Sequence, residues 1–212
     1  VIAEITRPPS RNAQPMGRVS SVLGDHGAPG METDIAIHSH GLPCEFPAAA
    51  LAEAEAYGAR IPADAIAGRE DLREIELVTI DGEDARDFDD AVYAEPLADG
   101  WRLVVAIADV SHYVASGDAI DTEARRRGTS VYFPDRVVPM LPEELSNELC
   151  SLKPAVDRLC MVCDMRIDLR GNVTGSTFYR AVMHSRARLT YDAVDQHQRG
   201  ELQARVPEAA KP

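Results

Sequence analysis

A short acidic segment between two apolar runs constrains this chain more than any other part of its sequence. Residues 81–90 read DGEDARDFDD and carry six acidic side chains and one basic one, a local net charge of −5. The apolar run 75–80 (IELVTI) leads into the segment, and 91–93 (AVY) leads out of it. Two like charges 4 Å apart repel by about 4 kcal/mol at an effective dielectric constant of 20. The segment therefore needs a counter-charge, which a divalent cation with oxygen ligands supplies.

The spacing of the acids supports a cation site. Asp87 and Asp89 are two residues apart, so they share a face if the backbone is extended. A turn through Gly82 would bring Asp81 back towards them, whereas Asp90 faces the other way unless the backbone bends. Aspartates that bind two Mg²⁺ ions can support phosphodiester cleavage. The alternative is a charged loop between strands in which Arg86 pairs with an acid.

Composition excludes several classes of protein. The 212 residues carry a formal net charge of −13, which argues against nucleic-acid binding through general basicity but leaves room for a local basic groove. No apolar run approaches the roughly 20 residues that span a bilayer, and no signal peptide is visible. We therefore expect no membrane partner.

The four cysteines do not form the pattern of a disulfide scaffold in a chain of this length. Cys160 and Cys163 form a C-x-x-C, but a predicted strand would point them to opposite faces. Buried apolar side chains are expected rather than a metal site, and the reducing cytoplasm is the predicted location.

Hydrophobic periodicity predicts an α+β fold in which a mixed β-sheet packs against helices. The run 101–110 is almost entirely apolar, so we expect it to be a strand buried on both faces. The other predicted strands are 16–23, 32–38, 75–80, 88–93, 159–168 and 173–185, and the predicted helices are 46–57, 118–127, 142–150 and 189–198.

The acidic segment resembles the metal-binding signature of the ribonuclease II/ribonuclease R family, and more closely its ribonuclease R branch. The signature lies at 78–93 (VTIDGEDARDFDDAVY), and the likeness continues at 107–114, 127–152, 157–165 and 178–194. These blocks extend from about residue 75 to residue 194, over half of the chain. Several long blocks in the same order are more specific than one motif.

The resemblance implies a processive hydrolytic exoribonuclease. Members of this family degrade single-stranded RNA from its 3′ end and release nucleoside 5′-monophosphates with Mg²⁺, for which Mn²⁺ is expected to substitute. By resemblance, Tyr132 in SVYFP (130–134) stacks on the 3′-terminal bases and sets the length of the final product. Asp89 and Asp90 are the implied catalytic residues, with Asp89 the more rate-critical. The implied metal ligands are Asp81, Asp87, Asp89 and Asp90.

The resemblance also implies a division of the chain. Residues 1–45 are predicted to be the end of an OB-type, cold-shock-like β-barrel, 46–74 a helical linker, and 75–212 the N-terminal part of the catalytic (RNB) domain. In the family this domain continues further and is followed by an S1 RNA-binding domain. We expect the present chain to lack both and to have little nuclease activity alone.

Other interpretations remain open at this point. The OB-type segment alone would make a non-catalytic RNA-binding fragment, whose binding needs no divalent ion. An exonuclease of the other acidic type would use Asp81 and Glu83 as a D-x-E pair, with Asp168 and Asp192 as further carboxylates. The arginine run 125–127 is compatible with phosphate contacts along an RNA path and equally with a helix C-terminus.

Overall fold

The computed structural model describes residues 1–25, 27–58 and 60–200. Its contacts divide the described residues into two units, one within 1–45 and 127–140 and the other within 46–126 and 141–200. Residues 201–212, the end of the predicted catalytic segment, lie outside the described residues.

The described elements form runs of strands separated by short helices, as expected for an α+β fold. The helices are α1 (Met31–Ser39), α2 (Ala48–Ala56), α3 (Ala119–Arg127) and α4 (Tyr191–Gln198). The strands are β1 (Ile2–Arg7), β2 (Met16–Ser21), β3 (Glu70–Leu72), β4 (Val78–Asp81), β5 (Asp90–Leu97), β6 (Gly100–Ala108), β7 (Val131–Tyr132), β8 (Val137–Val138), β9 (Asp157–Asp168), β10 (Val173–His184) and β11 (Ala187–Thr190). Short 3₁₀ turns cover Ala63–Ile66 and Val110–His112, and Glu144–Leu149 is a π-helical turn.

The first unit contains two small antiparallel pairs, β1 with β2 and β7 with β8, together with α1. The prediction of a strand at 32–38 is wrong, because this segment is helix α1. Gly30 precedes the helix with a φ of 82°. Two acids in the first turn of the helix stabilise it, because they lie at the positive end of the helix dipole. Thr33 and Ile37 are buried and four residues apart, so they share one helix face. The alternation of apolar and polar residues over seven positions fits both the helix period of about 3.6 residues and the strand period of about 2. Burial of the face that carries Thr33 and Ile37 favours the helix.

The second unit is built on a seven-stranded mixed sheet in the order β11-β4-β5-β6-β9-β10-β3. The pairs from β4 to β10 are antiparallel, whereas β11 and β3 add to the edges in parallel. The predicted mixed sheet with packed helices is confirmed. The largest buried side chains of this unit include Leu77, Val104, Tyr113, Ile120, Leu145, Leu149, Leu152, Leu159, Val162, Val182 and Met183.

Strand β6 differs from its prediction, because it is buried on one face only. Val104 and Ala106 are fully buried, whereas Trp101 and Ile107, on the opposite face, are 50% and 46% exposed. An apolar run does not specify which face is covered, and within the described residues only one face of β6 is packed. Cys160 is buried and Cys163 partly exposed, as opposite faces of β9 require, and each of the four cysteines is a free thiol.

The last predicted helix, 189–198, is divided into β11 and α4. Thr190 ends the strand and caps the helix, because its hydroxyl accepts a hydrogen bond from the Ala193 N–H at 3.2 Å. None of the helices in the described part of the chain has the length and apolar character needed to cross a membrane.

Candidate active site

The acidic segment connects β4 to β5. Asp81 is the last residue of β4 and Asp90 the first of β5, while Asp87 and Asp89 lie in irregular backbone between the strands. Because β4 and β5 are antiparallel neighbours, the end of β4 and the start of β5 lie at the same end of the sheet. The fold therefore brings the first and last aspartates of the motif to one end of two adjacent strands.

The four carboxylates interact electrostatically. Burial raises the pKa of Asp81, the Asp90 charge raises it further, Arg188 partly offsets the rise, and Asp87 adds to it. Asp89 is solvent-exposed as a residue, yet desolvation of its carboxylate, followed by the charges of Asp87, Asp90 and Asp81, raises its pKa. Both pKa values are raised, first by desolvation and then by the like charges of the neighbouring carboxylates. The sequence prediction that these four side chains belong to one acidic cluster therefore has electrostatic support.

The donor chemistry of this cluster fits a hard divalent cation. The Oδ2 atom of Asp81 is buried and has no hydrogen-bond partner among the described residues, which is costly unless a cation or donor meets it. No three acidic, histidine or cysteine side chains in 1–25, 27–58 and 60–200 are grouped closely enough to hold an ion by themselves. Mg²⁺ commonly binds one or two carboxylates and completes its shell with water and substrate phosphates. The cluster suits that mode of binding.

The irregular backbone of the motif is held by residues far away in the sequence. The Ser151 hydroxyl donates to the Arg86 carbonyl at 3.0 Å and accepts from the Phe88 N–H at 3.1 Å. The Leu152 N–H donates to the Phe88 carbonyl at 2.8 Å, and the Ala108 N–H donates to the Asp89 carbonyl at 2.9 Å. Sequence reasoning assigned no role to Ser151, although it lies inside a block that carries the family resemblance.

Arg188 in β11 is a basic group whose charge acts on Asp81 of the acidic cluster. Its Nη2 donates to the Gly82 carbonyl at 3.1 Å and also to the Glu83 carbonyl. Its guanidinium carbon lies 5.2 Å from the centre of the Phe88 ring, a cation–π distance. Arg188 thus holds the turn after Asp81 and reduces the repulsion there.

A buried ion pair lies at the end of β6. Arg69 Nη2 and Asp109 Oδ2 are 2.7 Å apart, and the two side chains are 5% and 0% exposed. Burial would raise the pKa of Asp109, but hydrogen bonds from Ser111 and Arg69, with the charges of Arg69 and Arg180, outweigh it and lower the pKa. No sequence pattern indicated this pair.

The arginine run has partners within the chain. Arg125 pairs with Asp121 at 2.9 Å, and Arg126 pairs with Glu123 at 2.7 Å. Arg127 donates to the carbonyls of Pro139 and Glu45. These contacts give all three arginines structural roles, and the prediction of an RNA path along them stays a prediction.

Tyr132 belongs to the first unit, whereas the four aspartates belong to the second. It lies in the short strand β7 and is 64% exposed. Asp168, a possible partner in the D-x-E interpretation, instead closes the β9–β10 turn by accepting from the N–H groups of Arg170 and Asn172.

An open cavity of about 700 Å³ adjoins the motif. Its walls include three basic side chains, Arg86, Lys153 and Arg188, and three acidic ones, Glu143, Glu144 and Glu148. None of the four aspartates lines it. The cavity is therefore distinct from the place where the carboxylates interact.

Comparisons with known protein families and relatives match nearly the whole chain. The RNB domain family matches residues 69–210, and the cold shock domain family matches residues 1–47. Ribonuclease R of Acidithiobacillus ferrooxidans is 53% identical over 99% of this chain and 48% of its own length. Ribonuclease R of Escherichia coli strain K12 is 55% identical over 92% of this chain and 24% of its own length.

A solved structure shares the fold. Ribonuclease R of Mycoplasma genitalium, in complex with ribose-methylated single-stranded RNA, matches 98% of this chain with a TM-score of 0.89 and 32% identity. The match covers 32% of that protein's chain. The present chain thus spans from about a quarter to about half of the relatives that it matches.

The chain belongs to the RNB-domain family, as the resemblance of its acidic motif implied. Within that family its similarity is to ribonuclease R, over nearly the whole of its 212 residues. The cold shock match supports the predicted OB-type segment at the N-terminus. The boundaries 1–45, 46–74 and 75–212 stay a prediction.

Proposed function

We propose that the protein carrying this chain is a processive 3′-to-5′ exoribonuclease that hydrolyses single-stranded RNA with Mg²⁺ and releases nucleoside 5′-monophosphates. The observation that carries the proposal is the cluster of four interacting aspartates in one irregular connection, with a buried Asp81 oxygen that lacks a hydrogen-bond partner. The RNA-degrading names of its relatives and the RNA bound by one of them support the same substrate class.

The residues of this chain have separate parts in the proposed reaction. Asp81, Asp87, Asp89 and Asp90 would between them hold the Mg²⁺ ions, with one or two carboxylates on each ion, or Mn²⁺ in their place. When bound there, the metal would supply Lewis-acid chemistry for phosphodiester hydrolysis. The Arg188 contacts keep the turn after Asp81 in place, and the hydrogen bonds to residues 86–89 keep Asp87 and Asp89 in position.

The direction and metal dependence are tested with RNA labelled at its 5′ end. The full protein that carries this sequence is expected to shorten the labelled strand progressively, which shows as a ladder of 5′-labelled products. EDTA is expected to abolish the ladder, and added Mg²⁺ or Mn²⁺ to restore it. Chromatography of the released products is expected to show nucleoside 5′-monophosphates. The 212-residue chain assayed alongside measures how much of the activity it carries.

Two results would count against the proposal. Immediate loss of the 5′ label as a mononucleotide would indicate degradation from the other end. RNA binding that survives EDTA, without any shortening of the RNA, would favour the non-catalytic RNA-binding alternative, whose affinity should fall with salt concentration.

Tyr132→Ala is expected to weaken binding of short RNA and to lengthen the final product. A tyrosine ring stacks on any base and contributes about 1–3 kcal/mol per base, which corresponds to roughly a 5- to 150-fold change in affinity. Tyr132 is 64% exposed. Gel analysis of the end product and fluorescence anisotropy with short RNA would measure both effects.

Two variants serve as controls for the Tyr132 prediction. Tyr132→Phe keeps the ring and is expected to leave both measurements unchanged. Tyr191→Ala removes a ring that is equally exposed, 64%, at the start of α4, and is also expected to have no effect. An unchanged end product in Tyr132→Ala would remove Tyr132 from the RNA-binding site.

We also propose the cytoplasm as the place of action, because a reducing compartment keeps the cysteines in the free-thiol state in which they occur here. The 3′ end of single-stranded RNA is the proposed partner.

A further inference from the structure

We propose that Ser151 is a positioning residue for the metal-binding aspartates, and that the buried Arg158 holds it in place. This inference rests on the proposed function of the acidic cluster. It concerns a side chain whose hydroxyl bonds the backbone of the aspartate loop.

The Ser151 hydroxyl bonds both peptide groups that flank Asp87. The carbonyl of Arg86 belongs to the peptide group before Asp87, and the N–H of Phe88 belongs to the one after it. One hydroxyl donates to the first at 3.0 Å and accepts from the second at 3.1 Å. Because these two groups set the direction of the Asp87 side chain, the hydroxyl restrains where that carboxylate points.

The restraint continues along the motif. The Leu152 N–H bonds the peptide group between Phe88 and Asp89, and the Ala108 N–H bonds the one between Asp89 and Asp90. Four successive peptide groups, from the one before Asp87 to the one before Asp90, are therefore tied to distant segments. Residues 85–89 have no regular secondary structure, so these long-range bonds replace the strand ladder that would otherwise order them.

Ser151 is itself held rigidly. It is fully buried, and its carbonyl accepts a hydrogen bond from Arg158 Nε at 2.8 Å. Arg158 is 6% exposed and also donates to the Asp157 carbonyl at 3.0 Å. A buried guanidinium needs acceptors, and the backbone of Ser151 provides one of them. The chain of contacts runs from Arg158 in β9 through Ser151 to the aspartate loop.

Such support matters because metal sites depend on the groups behind their ligands. Removing an outer partner typically reduces metal affinity or activity by about 10- to 100-fold. In Ser151→Ala the buried Phe88 N–H loses its acceptor and the Arg86 carbonyl loses its donor. The loop would then be free to rotate the Asp87 carboxylate away from the metal.

The test is an isothermal calorimetric titration of the full protein with Mn²⁺ in the absence of RNA. Ser151→Ala is expected to bind Mn²⁺ about 10- to 100-fold more weakly than the wild type. The Mg²⁺ concentration for half-maximal RNA hydrolysis is expected to rise by a similar factor, while KM for RNA at saturating Mg²⁺ changes little. Circular dichroism at each titration temperature confirms that the variant is folded.

Ser185→Ala is the matched control. Ser185 is also buried, 1% exposed, but its hydroxyl donates to the Ala187 carbonyl at 3.3 Å and not to the aspartate loop. It is expected to bind Mn²⁺ like the wild type. An equal loss of affinity in both variants would show general destabilisation and would overturn the positioning role.

A second pair of variants tests the same role of the hydroxyl if Ser151→Ala is poorly folded. Ser151→Thr retains a hydroxyl, whereas Ser151→Val has nearly the same shape without one. Tighter Mn²⁺ binding by the threonine variant supports the proposal, and equal binding contradicts it. A wild-type protein that binds no Mn²⁺ would contradict the proposed function, whereas wild-type binding that Ser151→Ala leaves unchanged would overturn this inference alone.

Discussion

Asp89→Asn is expected to reduce RNA hydrolysis by about 1000-fold at saturating RNA. The substitution keeps the size of the side chain and removes one of the charges that would hold Mg²⁺. Metal stabilisation of a developing charge is worth several kcal/mol, and about 1.4 kcal/mol corresponds to a factor of ten in rate. Single-turnover assays with 5′-labelled RNA would measure the loss.

The stability of Asp89→Asn, in contrast to its activity, is not expected to fall. Desolvation and three neighbouring carboxylates raise the pKa of Asp89, so its charged form is unfavourable when no cation is bound. Without Mg²⁺, Asp89→Asn should therefore have a Tm equal to or above that of the wild type. If the inactive variant had a lower Tm than the wild type, its loss of activity would be explained by unfolding and not by the loss of a metal ligand.

Glu83→Gln is the matched control for Asp89→Asn. It removes an acid from the same segment, but the proposed site does not use it, so a mild effect on activity is expected. The D-x-E interpretation makes the opposite prediction, since Glu83 would then be a metal ligand. Loss of activity in Glu83→Gln together with full activity in Asp89→Asn would reject the proposed ligand set.

Arg69→Met is expected to lower the free energy of unfolding by about 3–5 kcal/mol, because it removes the buried cation 2.7 Å from the Asp109 carboxylate and leaves only the more distant, 60% exposed Arg180 at 3.9 Å. For a chain of this size, each kcal/mol corresponds to a fall in Tm of roughly 2–4 °C. Differential scanning calorimetry should therefore show a decrease of about 6–20 °C.

The same pair predicts a dependence on pH. The pKa of Asp109 is lowered in the folded protein, so its contribution to stability is present above the unfolded pKa of about 3.9. The contribution is lost as the pH falls through the lower, folded pKa. The difference in Tm between the wild type and Arg69→Met should consequently shrink as the solution is made more acidic than about pH 4.

Arg125→Met provides the comparison, because it removes a guanidinium that is 71% exposed and paired with Asp121. Its expected effect on stability is much smaller than that of Arg69→Met, because water and salt screen an exposed ion pair. A second variant, Arg69→Met combined with Asp109→Leu, should recover part of the lost stability, since it removes both buried charges. Equal losses in Arg69→Met and Arg125→Met would contradict a special role for the buried pair.

Much of the fold could be predicted from periodicity. The long strands β6, β9 and β10 and the helices α2 and α3 lie close to their predicted positions. For α2 the Ala- and Glu-rich composition, followed by Gly58, indicates a helix that ends there. The segment 32–38 was wrongly predicted as a strand, since seven residues fit both periods and the packing of Thr33 and Ile37 decides between them. The exposed face of β6 was missed for a related reason, because apolar content alone does not reveal how many faces are covered.

The candidate site divides in the same way. Its carboxylates could be found in the sequence because four of them fall within ten residues, where charge density alone demands an explanation. The groups that support them could not, because Ser151 lies 63 residues from Phe88 and Asp109 lies 40 residues from Arg69. Hydrogen bonds and buried ion pairs depend on distances in space, and no local pattern in a single chain records which distant segments the sheet brings together. The sequence thus identifies the chemistry of the site, and the folded sheet selects the residues that hold it in place.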